Sequence, residues 1–214
     1  MIQLPIPGIV LTPSPQVLWL SSQEPLDCLS SALVGGGLNR TRHILNMHVD
    51  KDYAGPDPVS DLESCAHQVG IQEGFIGLMT AVMLEKVKID WQQQDGLGVC
   101  AIVTAGLANA SAAGISAPAG PQPGTINTIL LIDGILTPAA LVNAVITATE
   151  AKCAVLRRLD TRTPDGHPAT GTSTDAIVIA STNRGPSVPY AGPLTLAGWL
   201  LARAVGGALE QACA

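Results

Sequence analysis

The sequence is poor in aromatic residues and in charge. Aromatic side chains make up 3% of the 214 residues and charged side chains 13%, whereas hydrophobic residues reach 47%. This balance argues against intrinsic disorder, because disordered chains combine few apolar residues with high charge. With so few aromatics, the core must be built from Ala, Val, Leu and Ile. The 22 glycines allow segments of backbone to approach one another closely.

Cysteine pairs, basic stripes and long apolar runs are also missing. The five cysteines are scattered without a C-x-x-C pair, so we expect reduced thiols in a cytoplasmic protein rather than disulfides or structural zinc. The net charge of −6 argues against a nucleic-acid partner. No apolar run reaches the roughly 18 residues of a membrane helix, and no signal peptide is recognisable. We therefore expect a soluble protein without a membrane partner.

The common catalytic and metal-binding motifs are absent as well. The sequence has no H-E-x-x-H, G-x-S-x-G, Rossmann G-x-G-x-x-G or Walker A motif. The glycines at 35–37 are not followed by Gly-Lys-Ser/Thr, so they predict a turn rather than a phosphate loop. His43 and His48 fall on opposite faces of a strand, which disfavours a shared metal ion. We expect no metal site.

Buried strands and long helices alternate in the second half of the chain. Strands are predicted at 97–104, 125–132 and 176–181 from their apolar composition. Helices are predicted from Thr137-Pro138, an N-cap followed by proline, to about Leu159 and again over 194–212. The C-terminal helix could pack inside the domain or form the interface of a homo-oligomer.

The first half gives weaker signals. Two strands are expected between Ile6 and Ser21, and another over 42–49. A short helix is predicted over 26–34, and a second helix at the capping box Ser60–Glu63. The segment 75–84 is ambiguous, and 50–58 is a polar loop. Together the elements predict an α/β fold over residues 1–214, a single domain with a mixed β-sheet and helices packed on its faces.

The long helix that starts at Thr137 has a lysine in its apolar stripe. The stripe consists of Leu141 and of Val145, Ala148, Val155 and Leu159, which fall within roughly 40° of Leu141 around the helix axis. Lys152 lies at about +20° from Leu141, whereas Glu150 lies about 180° from Leu141, on the opposite side of the helix. A lysine in such a stripe must extend to water, pair with a carboxylate or lose its proton. One interpretation is an ion pair with Asp175 or Glu150 that only fixes the packing.

Small polar residues gather where the buried strands begin and end. They are Thr104, Asn109, Thr125, Asn127 and the run from Thr170 to Asp175. Ligands of α/β proteins bind at strand ends, which makes these residues candidates for a binding site near Lys152. The alternative is that threonines and asparagines satisfy backbone groups in turns and at helix ends.

Several short blocks occur in a set order along the chain. They are Thr104-Ala105-Gly106-x-x-Asn109-Ala110, Gly124-Thr125-Ile126-Asn127, Thr149-Glu150-Ala151-Lys152, Thr170-Gly171-Thr172-x-Thr174-Asp175 and Ala191-Gly192. In this order and spacing the chain resembles the adenosylcobinamide amidohydrolase family. The glycine turn with Gly36, and Asn46, resemble the N-terminal part of that family, so the matches span nearly the whole chain.

The resemblance implies an enzyme of corrinoid salvage. Such enzymes hydrolyse the amide that joins the aminopropanol arm to the corrin ring of adenosylcobinamide, giving adenosylcobyric acid, and some relatives accept complete cobamides. The corrinoid would be the substrate, so no separate cofactor is expected. A non-catalytic corrinoid carrier and a self-processing threonine amidase or acyltransferase are the alternatives.

The resemblance also suggests roles for individual residues. Lys152 would be the base for Thr172 or for a water, and Asp175 would orient Lys152. Glu150 is the fourth predicted catalytic residue. Asn109 and Asn127, with backbone N–H groups, would hold the oxyanion or the substrate amides. The other predicted substrate-binding residues are Gly36, Asn46, Thr104, Thr125, Thr170 and Thr174.

Overall fold

The computed structural model describes residues 1–120 and 124–214. Its helices are α1 (Pro58–Gln68), α2 (Pro138–Arg158) and α3 (Leu196–Cys213), with a 3₁₀ turn at Leu84–Lys86. Its strands are β1 (Ile2–Gln3), β2 (Ile9–Pro13), β3 (Val17–Ser30), β4 (Gly37–His48), β5 (Ile76–Thr80), β6 (Lys88–Gln94), β7 (Leu97–Ala105), β8 (Ala110–Ser111), β9 (Ile126–Asp133), β10 (Ile135–Leu136), β11 (Gly171–Thr172), β12 (Ala176–Ser181) and β13 (Ser187–Val188).

A mixed sheet organises the molecule. Within the described residues it has nine strands, seven of them in the order β1-β2-β3-β12-β9-β7-β6. The long strand β3 pairs with β2 through its first half and with β12 through its second half. On its other edge β3 pairs with β4, which is followed by β5. The β4–β5 and β9–β12 pairs are parallel and the rest of this sheet is antiparallel, so the predicted mixed sheet is confirmed.

The two faces of the sheet are covered differently. One face of β7, β9 and β12 packs against α2 and α3, with Val99, Leu130 and Ile179 facing helix residues such as Ala144 and Leu201. The opposite face turns inward onto β2, β3, β4 and β5, because the sheet curls and buries its own two halves against each other. The C-terminal helix therefore packs inside the fold, against β6, β7 and α2.

Helix α2 has the start predicted from the sequence. Thr137 is the N-cap, its hydroxyl accepts a hydrogen bond from the N–H of Ala140 at 3.1 Å, and Pro138 opens the helix. Among the described residues, α2 is the helix whose length and apolar composition would suffice to cross a membrane. Of an 18-residue apolar stretch of this helix, 39% is buried in the protein. Its buried side faces α3 and the sheet, as in the core helix of a globular domain.

Two predictions in the first half need correction, and one strand was missed. The helix predicted over 26–34 is wrong, because Leu26, Cys28 and Ser30 alternate inward as part of β3. The N-cap of α1 is Asp57 rather than Ser60, since its carboxylate accepts from the N–H of Ser60 at 3.1 Å. Strand β6 was not predicted at all.

Strand β6 escaped prediction because it is half-exposed and ends in three glutamines. One local signal was present in the sequence, the Asp95-Gly96 pair. Both residues have positive φ, 50° and 78°, and they form the tight turn that leads from β6 into β7. An Asp-Gly pair directly before a buried strand is typical of a hairpin.

Candidate active site

The sheet register brings three of the predicted positions to one edge. Thr104 at the end of β7 is paired with Asn127 at the start of β9, and Asn127 is paired with Ala176 at the start of β12. Asp175 directly precedes that last strand. The antiparallel direction of β7 and the parallel direction of β9 and β12 thus place one strand end and two strand starts side by side.

Lys152 forms an ion pair with Asp175 at this edge. The ammonium Nζ of Lys152 donates to Asp175 Oδ2, and each side chain is 17% exposed. Of the three outcomes expected for a lysine in an apolar stripe, the structure shows the ion pair with a carboxylate. Because both groups are mostly shielded from water, their attraction is weakened by solvent less than that of a surface pair.

The other oxygen of Asp175 is also engaged. Asp175 Oδ1 accepts hydrogen bonds from Thr172 Oγ1 at 2.5 Å, from the N–H of Thr172 at 3.1 Å and from the N–H of Ile126 at 3.1 Å. These donors fix the orientation of the carboxylate. Lys152, Asp175 and Thr172 therefore form one continuous hydrogen-bonded chain, with Asp175 in the middle.

A side chain would not fit at Gly171, because the Lys152–Asp175 ion pair lies directly over its Cα. A Cβ placed there would come within 2.8 Å of Lys152 Nζ and would overlap the Asp175 carboxylate. The backbone of Gly171 does not have positive φ, so steric space rather than backbone conformation demands glycine here.

The carbonyl oxygen of Gly124 joins the loops around this chain. It accepts from Thr174 Oγ1 at 2.8 Å and from Asn109 Nδ2 at 2.8 Å. Gly124 itself has φ of +125°, and a Cβ there would lie 2.9 Å from Asn109 Cγ. Glycine is needed at this position for both reasons.

Two asparagines form a buried polar chain behind the site. Asn127 Nδ2 donates to Asn46 Oδ1 at 2.9 Å and to the Met79 carbonyl at 2.8 Å. Asn46 Nδ2 in turn donates to Thr104 Oγ1 at 3.1 Å. Thr125 Oγ1 lies 3.1 Å from Asn127 Oδ1. The chain links β4, β5, β7 and β9, so it fixes the position of the strand ends relative to the curled half of the sheet.

Asn109 and Asn127, the predicted oxyanion donors, already donate their amide hydrogens to other groups. A side-chain amide has two N–H hydrogens. Those of Asn127 are directed to Asn46 and Met79, and those of Asn109 to Gly124 and to Ser173 Oγ, the last at 2.7 Å. Either asparagine could hold an oxyanion only after one of these bonds breaks, which favours backbone N–H groups for that role.

Thr170 positions the loop that carries Thr172. Its N–H donates to the Ser111 carbonyl at 2.9 Å, and its hydroxyl accepts from the N–H of Ala113 at 2.9 Å. Strand β11 continues this contact by pairing with β8. The hydroxyl and N–H of Thr170 are thus used to join two loops.

Two of the predicted residues lie apart from this cluster. Glu150 is on the exposed side of α2, and no hydrogen bond or ion pair in the described part of the chain joins it to Lys152. Gly36 lies in the exposed turn between β3 and β4. Its neighbours 31–33 reach the cavity described next, whereas Gly36 does not line it. The roles suggested for these two residues stay predictions.

A cavity of about 630 Å³ opens beside Asp175. Part of its lining consists of predicted site residues: Gly124, Thr125, Asn127, Thr174 and Asp175. The rest comes mainly from the end of β5, from residues 31–33 and from the loop 49–55 with Pro58. The composition of 50–58 predicted only a polar loop, and nothing in it indicated that the loop lines the site.

No metal-binding cluster occurs in the described part of the chain. Within 1–120 and 124–214 no three His, Cys, Asp or Glu side chains are grouped so that they could hold a metal ion. His43 contacts Glu73, with 3.0 Å between Nε2 and Oε1, and His48 contacts the Val82 carbonyl at 3.1 Å. The two histidines therefore take part in separate local contacts.

Comparison with known proteins assigns the chain to a family. Residues 9–214 match the family model CbiZ, adenosylcobinamide amidohydrolase. An adenosylcobinamide amidohydrolase of Methanosarcina mazei is 33% identical over 182 residues, which is 80% of this chain and 82% of that protein. One from Halobacterium salinarum is 37% identical over 107 residues, 47% of this chain and 43% of that protein.

Among solved structures, a Burkholderia sp. beta-aminopeptidase superposes with a TM-score of 0.47 at 13% identity, covering 92% of this chain and 78% of that chain.

The family match and the Methanosarcina relative each cover most of the sequence. The resemblance seen in the ordered blocks is thereby confirmed. The chain belongs to the adenosylcobinamide amidohydrolase family and is an amide-bond hydrolase.

Proposed function

We propose that this protein hydrolyses the amide between the aminopropanol arm and the corrin ring of adenosylcobinamide, releasing adenosylcobyric acid for corrinoid salvage in the cytoplasm. The observation that carries the proposal is the hydrogen-bonded chain Lys152–Asp175–Thr172, of which Asp175 lines a cavity, in a member of this family. An amide hydrolase needs a nucleophile, a proton acceptor and a donor for the leaving amine, and the chain offers one group for each.

In the proposed mechanism Thr172 Oγ attacks the amide carbonyl and its proton passes to Asp175. We assign the base role to Asp175 instead of Lys152, because the Thr172 hydroxyl donates to Asp175 at 2.5 Å. The C–N bond then breaks, and the amine nitrogen takes a proton from Lys152. Water next hydrolyses the ester on Thr172, which regains its proton, and the proton held by Asp175 returns to Lys152.

The developing oxyanion needs donors that are present before the reaction. Because the amide hydrogens of Asn109 and Asn127 are already engaged, we assign this role to backbone N–H groups of the glycine turns. The asparagines then hold the turns in place. The mechanism uses no resident cofactor and no metal, so prolonged dialysis against a chelator should leave the rate unchanged.

The direct test is incubation of the purified protein with adenosylcobinamide, followed by chromatography with mass detection. Adenosylcobyric acid and aminopropanol are the expected products. A parallel incubation with a complete cobamide tests whether a substrate with its lower nucleotide loop is also accepted. Binding without product, seen as a shift in visible absorbance, would instead identify a corrinoid carrier. Neither binding nor product would contradict the proposed substrate.

Thr172 variants separate the two possible nucleophiles. Thr172→Val keeps the shape of the side chain but removes the hydroxyl, so we expect its kcat to fall by more than about 100-fold, a loss above roughly 2.7 kcal/mol. Thr172→Ser keeps the hydroxyl and should retain most of the activity. A Val variant with activity similar to that of the Ser variant would mean that a water attacks.

A self-processing threonine enzyme would cut its own chain. The intact protein has a mass of 21.9 kDa, and we expect a single species of that mass on denaturing gels and in mass spectrometry. Two fragments whose masses add up to the same total would favour the self-processing alternative.

A further inference from the structure

One aromatic side chain lines the cavity that Asp175 also lines. The chain has three Trp, two Tyr and one Phe, and among the described residues Tyr53 is the aromatic residue that lines this cavity. Its side chain is on the loop between β4 and α1, and the residue is 38% exposed. In a chain with so few aromatic residues, a partly exposed ring at a ligand cavity is a feature to be explained.

The ring of Tyr53 is fixed at its phenol end. The hydroxyl donates to Asp61 Oδ2 at 2.5 Å, and Asp61 lies in the first turn of α1. The N–H of Tyr53 donates to the Asp50 carbonyl at 3.0 Å. The hydrogen bond to Asp61 raises the pKa of the Tyr53 hydroxyl to about 12, so the donor keeps its proton throughout the neutral pH range. The hydrogen bond to Asp61 on helix α1 thus anchors the Tyr53 ring.

A glycine makes room for this arrangement. A Cβ at Gly55 would lie 2.5 Å from Tyr53 Cζ and 2.8 Å from Asp61 Oδ2. Gly55 has no positive φ, so alanine is excluded by the tyrosine ring and not by the backbone. The ring, its anchor and the glycine beside it therefore form one packed unit. A ring held in this way loses little freedom when a ligand binds.

The lining of the cavity has an apolar part. Leu33, Leu78, Met79 and Pro58 line it together with Tyr53, beside the polar residues Asp50, Lys51 and Thr80. A ligand whose reacting amide lies at Asp175 could therefore place a flat, apolar part against the tyrosine ring. Aromatic rings bind flat conjugated systems by offset stacking.

We infer that Tyr53, anchored by Asp61, is a substrate-binding residue that stacks on a planar conjugated ring of the corrinoid. This inference rests on the proposed function and adds the residue that holds the substrate's ring system. Adenosylcobinamide contains two such systems, the corrin macrocycle and the adenine of the adenosyl group. Stacking on either one would use the same face of the tyrosine, and ligand variants can distinguish them.

The test compares corrinoid binding by the wild-type protein, by four single variants and by the double variant Tyr53→Phe/Asp61→Ala. Tyr53→Leu removes the ring, Tyr53→Phe and Asp61→Ala each remove the anchor but keep the ring, and Tyr190→Leu is the matched control. Tyr190 is 64% exposed and does not line the cavity. Dissociation constants are measured by titration for adenosylcobinamide and for dicyanocobinamide, which has no adenosyl group, with kcat and KM measured for the first.

We expect Tyr53→Leu to raise the dissociation constant and KM about tenfold while kcat changes less than threefold. The two anchor variants should each lose about threefold, and combining them should add no further loss, because they break the same hydrogen bond. Tyr190→Leu should bind like the wild type. A tenfold loss with both corrinoids identifies the corrin as the stacked ring, and a loss with adenosylcobinamide alone identifies the adenine.

Equal dissociation constants for Tyr53→Leu and the wild type with both corrinoids would overturn the inference while leaving the proposed function intact. A wild type that binds neither corrinoid would contradict the proposed function itself, and the inference with it. Circular dichroism and thermal unfolding of each variant show whether its loss of binding comes from misfolding.

Discussion

At the scale of single residues, the Lys152–Asp175 ion pair predicts that activity depends on Lys152. Lys152→Met removes the proposed proton donor and leaves a mostly shielded carboxylate without its cation. We expect kcat to fall by at least tenfold, which is about 1.4 kcal/mol. The assay is steady-state hydrolysis of adenosylcobinamide. Lys86→Met is the control, since Lys86 is exposed and does not line the cavity. A Lys152→Met enzyme that keeps more than a tenth of its kcat would remove Lys152 from the mechanism.

Gly171 gives a second prediction at this scale. In Gly171→Ala the new Cβ would have to displace Lys152 Nζ or the Asp175 carboxylate. We expect kcat to fall by more than tenfold although no catalytic group is removed. Gly74→Ala is the matched control, because a Cβ there meets nothing within 4 Å and Gly74 has no positive φ. Equal activity of the two alanine variants would show that the ion pair does not need its observed position.

At the scale of elements, the N-cap of α2 is a separate structural contribution. Thr137→Ala removes the hydroxyl that accepts from Ala140 and donates to the Pro189 carbonyl at 3.0 Å. We expect the free energy of unfolding to fall by about 1 kcal/mol, as for other N-caps. Chemical denaturation measures it. Thr149→Ala, in the same helix and exposed, should change stability by less than half that amount, and a larger effect there would contradict the capping argument.

At the scale of the whole molecule, burial decides which thiols react. Cys28, Cys65 and Cys100 are buried, and Cys153 and Cys213 are half-buried. Burial raises the pKa of the Cys28 and Cys100 thiols to about 12, so at pH 8 roughly one such thiol in ten thousand is ionised. We therefore expect an aromatic disulfide reagent to modify at most Cys153 and Cys213 rapidly in the native protein, and all five cysteines after denaturation. Fast native reaction of more than two would contradict the described packing.

Patterns that depend on neighbouring residues predicted much of the fold. The strands β7, β9 and β12 and the start of α2 follow from apolar runs and from Thr137-Pro138, and the structure confirms them. The predictions failed where tertiary contacts decided. The second half of β3 became a strand because β4 and β12 supply hydrogen bonds on its two edges, and no local pattern reports those partners.

The sequence by itself determined that Lys152 lies in the apolar stripe of a helix, because helical periodicity is a local property, and it named Asp175 as one candidate partner. Only the tertiary structure decided which carboxylate pairs with it. The same holds for the bond between Asn46 and Asn127, 81 residues apart, and for the position of Tyr53 at the cavity. Such contacts form when the sheet curls, and the curl results from the packing of all its strands together.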